Sequence, residues 1–158
     1  MTLTSAQGER RARLFVRSDL PTPSRKRCTA IECEVESLVC QGVIDGVETV
    51  EWRKRVPLRG DNRGERELYN AFAAWAREAD VALAPFFDTR LCYSTSTGER
   101  RRELVLPVVC LALYDDGALV RVAPFADGGR TESVEECIAA LADSDGLSRL
   151  EATTASTA

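Results

Sequence analysis

Apolar and polar positions follow two periods along the chain, and each change of period marks an element. The densest apolar stretch is Glu103 to Phe125 (ELVLPVVCLALYDDGALVRVAPF), which predicts two antiparallel strands joined at Asp116-Gly117. Leu104 to Tyr114 is too apolar for a strand with one wet face, so it is expected to be central and covered on both sides. Pro107 cannot donate to a ladder, which moves the expected start of regular pairing to Val108. Asp-Gly supplies the positive backbone angles of a tight hairpin, and Ala118 to Phe125 is the neighbouring strand.

Upstream, Arg13 to Arg17 (RLFVR) is a short apolar core between arginines and predicts the first strand. Ser18 to Ser24 carries Pro21 and Pro23 and reads as a loop feeding a helix, with Thr22 or Ser24 as its N-cap. Cys28, Ile31, Val35, Leu38 and Val39 then recur at the spacing of one buried helix face, and Gly42 is a natural stop. Val47 to Val56 alternates, with Val50, Trp52 and Val56 on one face, and predicts a single second strand. Asn62 and Glu65 have capping-box spacing for a second helix, whose expected buried stripe is Leu68, Ala71, Phe72, Trp75 and Ala79. Pro85 to Tyr93 predicts a further strand and Ser94 to Gly98 a turn, together a hairpin leading into Leu104. Gly128-Gly129 breaks the chain before a third helix, capped by Ser133 and Glu136 and buried through Val134, Cys137, Ile138 and Leu141. The order β-α-β-α-β-β-β-α implies an α/β layered domain, a mixed sheet of about four or five strands flanked by three helices.

Composition sharpens this picture mainly by exclusion. With 158 residues and no compositional break, one domain over residues 12–143 is expected. It lies between a disordered polar arm at 1–11 and a disordered small-residue tail at 144–158. The longest apolar run, Leu104 to Leu113, is about half of a membrane span. The polar N-terminus has no apolar signal core, so a cytoplasmic protein with no membrane contact is expected. Its six cysteines are expected to be reduced, most of them as small core residues. Histidine is absent, which removes the usual general base near neutral pH, the Ser/His and Cys/His nucleophile pairs and the commonest metal ligand. There is no CxxC pair, and Gly60, Gly64 and Gly98 are isolated from any phosphate-binding loop. These features weigh against an enzyme and imply neither cofactor nor metal.

Charge adds the candidate chemistry. Of 21 basic residues only Lys26 and Lys54 are lysines, and the formal net charge is -4, a bias that fits a GC-rich or halophilic source. The bases gather in three clusters: Arg25, Lys26 and Arg27; Arg53, Lys54 and Arg55; and Arg100, Arg101 and Arg102. They are either solvated ends balanced by Glu32, Glu51, Glu99 and Glu103 or, if the fold gathers them, a positive patch for phosphate or an acidic partner. Cys28 is the thiol placed nearest a helix start, although it lies on the apolar stripe.

The proline-opened strand, Asp-Gly turn, second strand, Gly128-Gly129 break and closing helix resemble the C-terminal half of thioredoxin-like proteins. That resemblance implies a thioredoxin-like core, a cis Leu106-Pro107 bond facing the active site, and Cys28 beside Pro107 as the thiol, since Leu20 to Ser24 holds no cysteine. A second resemblance spans roughly residues 12 to 143. RLFVRS from Arg13, EWRKRVPL from Glu51, PFF from Pro85 with TSTGE from Thr95, and LVLPVVCLALYDDGALV from Leu104 are similar to a family of small haloarchaeal proteins often labelled helix-turn-helix domain proteins. The predicted helices are separated by strands and not by a short turn, so DNA contact would rest on the arginine clusters. The leading expectation is a non-catalytic protein-binding or regulatory module, with homo-oligomers compatible. The alternatives are a nucleic-acid-associated transcriptional regulator acting through those clusters, and a thiol redox protein or sensor using Cys28.

Overall fold

The structure, a computed structural model, describes residues 9–57, 63–93, 98 and 100–143. Expectations for the arm before residue 9, the Asn62 cap, most of the Ser94 to Gly98 turn and the tail from residue 144 lie outside the described residues.

The main sheet is built around β1 (Arg10–Arg17). It pairs in parallel with β2 (Gly46–Trp52), so that Arg17 stands beside Trp52, and antiparallel with a strand at Val109–Asp115. The intervening helix α1 (Thr22–Cys40) follows β1 directly. After β2 come the short β3 (Arg55–Pro57), helix α2 (Arg63–Ala79) and the hairpin β4 (Asp88–Tyr93) and β5 (Arg100–Val105). Then follow β6 (Val109–Asp115), β7 (Ala118–Ala123), the small hairpin β8 (Phe125–Asp127) and β9 (Arg130–Glu132), and helix α3 over residues 134–143. The order β2-β1-β6-β7 forms the mixed four-stranded sheet, and β3-β5-β4 forms a separate three-stranded one.

Strand alternation sends each face of the main sheet into its own core. Ala12 and Leu14 of β1 with Val109, Leu111 and Leu113 of β6 pack on Cys28, Ile31, Val35 and Leu38 of α1 and on Val134, Cys137 and Ile138 of α3. Phe15, Trp52, Cys110, Ala112 and Val122 face the other way, onto Phe72 and Ala76 of α2 and onto Val56, Leu83, Phe87, Leu104 and Leu106. Aromatic rings fill this second core: Phe15 stacks on Trp52 at 4.8 Å between centroids, and Phe72 and Phe87 meet edge to face at 5.9 Å. Burying such rings is a large hydrophobic term, so this face is where α2 and the second sheet are held.

The α/β class, the stripe on α1 and the Asp116-Gly117 turn agree with the sequence. Asp116 and Gly117 both have positive φ, 52° and 83°, as the hairpin requires. Gly42 ends α1 with φ 79°, and Val43 N–H reaches back to Leu38 C=O at 2.9 Å, the closure that satisfies a helix C-terminus. Ser133 and Glu136 cap α3 reciprocally, at 3.0 and 3.1 Å.

Several expectations are corrected. Thr22 and Ser24 lie within or at the start of α1, whose N-cap is Pro21 with no side-chain cap bond. Proline already holds an extended-to-helix junction there without a hydroxyl acceptor. Val47 to Val56 is not one strand: it breaks at Arg53-Lys54 and its two parts enter different sheets. Both parts keep Trp52 and Val56 in the same core, so alternation carries no warning of the break. Leu104 to Tyr114 divides likewise at Pro107, with Leu104 in β5 and regular pairing in β6 from Val109. The Leu106-Pro107 bond is not cis; the cis bonds are Ala84-Pro85 and Ala123-Pro124. At Pro107 the chain passes between sheets, with Leu106 N–H bonded to Lys54 C=O at 2.9 Å and Pro107 C=O accepting from the Trp52 indole at 3.0 Å.

The strand expected from Pro85 starts at Asp88, because residues 84–87 form a turn. Ala71 and Ala79 of α2 are exposed, and Phe72 and Ala76 are the buried pair. Gly128-Gly129 is the turn of the β8–β9 hairpin. The strand expected through Phe125 stops at Ala123, before Pro124.

Candidate functional site

The carboxyl ends of the parallel strands β1 and β2, the start of α1 and the entry to β6 lie at one pole of the main sheet. Backbone bonds tie them together. Arg17 N–H donates to Val108 C=O and Ser18 N–H to Trp52 C=O, both at 2.9 Å. Leu106 N–H on Lys54 C=O adds the turn between β2 and β3. Two of the three basic clusters belong to this end of the sheet: Arg25 and Lys26 on the first turns of α1, which follows β1 directly, and Arg53, Lys54 and Arg55 at the end of β2 and in β3. Loops beyond the carboxyl ends of parallel strands are where open α/β sheets place ligands.

Several of these cations have no carboxylate partner among the described residues. Arg25 donates from Nε to Leu20 C=O at 3.1 Å, a bond that leaves its charge unpaired. Lys26, Lys54 and Arg55 have no ion pair among the described residues. Arg53, by contrast, pairs with Glu65 at 4.0 Å. The first turn of α1 holds no acidic residue, so its exposed N–H groups add to the positive potential. Thr22, Arg25, Lys26 and Thr29 line an open recess of about 360 Å³ there.

Arg17 is the residue that cluster counting misses. It ends β1 half-buried, and its guanidinium donates to the carbonyl of Leu106. Its Nε is buried without a partner, and burial lowers its pKa. Among the described residues no carboxylate pairs with it, and a half-buried guanidinium is unfavourable unless something anionic completes it. The signal was present in the sequence, an arginine at the last position of a strand before a proline loop, but RLFVR reads equally as a solvated strand end.

The remaining candidates separate from this pole. Arg27 points to α3 and forms a two-pronged bond with Glu135 at 2.8 and 2.9 Å. That contact raises the Arg27 pKa and lowers that of Glu135. Arg102 stands opposite Leu91 while Val105 stands opposite Arg55, which puts Arg102 about 10 Å and Arg100 about 17 Å along β5 from the pole. The backbone of Arg101 lies between them; its side chain is outside the described residues.

Cys28 is buried in the α1 core, and desolvation raises its thiol pKa. Pro107 is engaged by Trp52, which belongs to the opposite core. Cys110 and Cys137 are also buried, whereas Cys33 and Cys40 are exposed. Among the described residues no three metal-ligating side chains gather, and no helix is long and apolar enough to cross a membrane.

The chain is thus a mixed α/β domain with basic residues toward one pole of its main sheet. The chain belongs to the helix-turn-helix domain family, whose sequence profile matches residues 4–146. No curated protein and no solved structure matches it. Among the described residues no two helices are joined by a short turn, since β2 and β3 separate α1 from α2, and six strands separate α2 from α3.

Proposed function

We propose that the protein is a nucleic-acid-associated regulator that holds backbone phosphates at the basic pole. The feature that supports this reading is the placement of Arg17, Arg25, Lys26, Arg53, Lys54 and Arg55 on elements that backbone bonds tie together at one end of the main sheet, in an otherwise acidic chain. Family membership supports it, and the absence of a tandem helix pair among the described residues favours phosphate contact over base reading by a recognition helix. Net charge of -4 lets the rest of the surface repel nucleic acid, so contact is confined to the pole.

Fluorescence anisotropy with labelled duplex and single-stranded DNA and RNA, titrated over salt, tests the proposal. Log affinity is expected to fall linearly with log salt, with a slope near -5 or shallower if up to six cations engage a duplex. No binding at low salt, or a slope unchanged by Lys26→Ala and Lys54→Ala together, overturns it.

A second reading, a protein-binding module, is favoured by the outer edge of β2, which pairs with β1 alone among the described strands. An open edge can accept a strand from a partner. Recovery of the tagged protein from its host, with and without nuclease, separates the readings: a defined protein partner that survives nuclease supports this one. The core itself is read as thioredoxin-like without the redox cysteines. The order β2-β1-β6-β7 with one parallel pair supports that reading, and the Leu106-Pro107 bond speaks against it. Cytoplasmic placement and a halophilic source, for which the dominance of arginine over lysine speaks, belong to the same proposal.

A further inference from the structure

At the other end of β1 a cavity of about 340 Å³ opens on the face of the main sheet that α2 leaves uncovered, lined chiefly by Glu9, Arg11, Arg13, Glu48, Tyr114 and Asp116. We infer that this cavity binds a free α-amino acid, with its carboxylate on Arg13, its ammonium on Glu48 and Asp116, and its side chain against Tyr114.

Register builds the site. Arg11 stands opposite Tyr114 on β6 and beside Gly46 on β2, and Arg13 stands opposite Ala112 and beside Glu48. A Cβ on Gly46 would meet the Arg11 guanidinium at 3.2 Å, so the glycine gives that side chain its place.

The charges do not form closed pairs. Arg11 is taken by Glu9 at 2.8 Å. Arg13 lies over the Phe15 ring at 5.2 Å, and its buried Nε makes no hydrogen bond, standing 3.6 Å from a Glu48 oxygen as a loose ion pair. The ring fixes the guanidinium while its N–H donors stay incompletely used, which suits an incoming carboxylate that accepts from them. Tyr114 and Asp116 make no side-chain hydrogen bond or ion pair among the described residues, leaving a phenol and a carboxylate free on the rim.

The sign pattern selects the ligand class. Three carboxylates against two guanidiniums disfavour a phosphate or a nucleotide. The loose Arg13–Glu48 pair presents opposite charges side by side, as an α-amino acid carries its own, so a zwitterion can pair with both. The volume exceeds that of an amino acid and falls at the low end of small-molecule sites. Arg11 and Arg17 are six positions apart on β1, about 20 Å, so this site is separate from the basic pole and the inference stands whether or not nucleic acid binds there.

The test is a thermal-shift screen of the full chain with each standard amino acid at about 10 mM, followed by calorimetry on the strongest. The amide and N-acetyl forms of that amino acid are expected to bind about tenfold or more weakly, and Arg13→Gln and Glu48→Gln to weaken the parent by a similar factor with unchanged circular dichroism. Asp116→Asn, on an exposed turn, serves as the variant least able to disturb folding. The inference is overturned if no amino acid binds, if the blocked forms bind as well as the parent, or if none of the folded variants weakens binding.

Discussion

Replacing Arg17 by methionine separates binding from stability. Methionine keeps an unbranched apolar stem in place of the arginine stem, so packing at the end of β1 changes little while the charged head is removed. The folded state loses one hydrogen bond, from the guanidinium to Leu106 C=O, a contribution of about 1 kcal/mol. It also loses a buried Nε that has no partner, whose burial costs about 1–3 kcal/mol. The terms oppose each other and the second is at least as large, so Arg17→Met is expected to be neutral or to stabilise the fold by about 1 kcal/mol in denaturant unfolding. If Arg17 completes a phosphate site, the same change removes a charge-assisted contact worth about 1.5–3 kcal/mol, a loss of about tenfold to hundredfold in affinity by anisotropy. The salt slope for duplex should also become shallower by about 0.9. Destabilisation beyond about 2 kcal/mol with affinity and slope unchanged would show Arg17 to be a structural residue and refute the reasoning.

Other consequences follow from the cores and the α1–α3 contact. Phe72→Ala empties a fully buried position between Phe15 and Phe87 and should cost about 3–5 kcal/mol in urea unfolding. Glu135→Gln should cost at most about 1 kcal/mol, since both partners of the Arg27 pair are more than two-fifths exposed and solvent screens them. The folded Glu135 pKa is lowered, so this contribution is present above the unfolded carboxylate value of about 4.3 and fades as pH falls through the folded one. Unfolding of wild type and Glu135→Gln should therefore converge in acid. Cys33 and Cys40 should alkylate quickly in the native protein, and Cys28 only on unfolding, as read by peptide mass spectrometry; a Cys28 that reacts as fast as Cys33 would restore the thiol reading.

The sequence by itself determined the pieces whose cause is local. The three- and four-residue spacing from Cys28 to Leu38 makes one buried helix face wherever that helix packs. Ser133 and Glu136 cap a helix with atoms three residues apart, and Asp116-Gly117 adopts positive φ because its own side chains allow it. The absence of histidine removed whole classes of chemistry without any coordinates. Tertiary structure alone decided which sheet a strand joins. Val50, Trp52 and Val56 alternate as one strand would, yet the chain leaves β2 after Trp52 because Leu106 and Lys54 pair across a gap of more than fifty residues. The same long-range choice split Leu104 to Tyr114 at Pro107. It also decided the candidate site. Three basic clusters look equivalent in the sequence, but parallel pairing of β1 with β2 sets two of them at one pole, Arg27 is drawn away by Glu135 of α3, and the run from Arg100 to Arg102 is carried along β5. Charge runs record composition, whereas convergence depends on strand order and register, which arise from contacts between residues far apart in the chain.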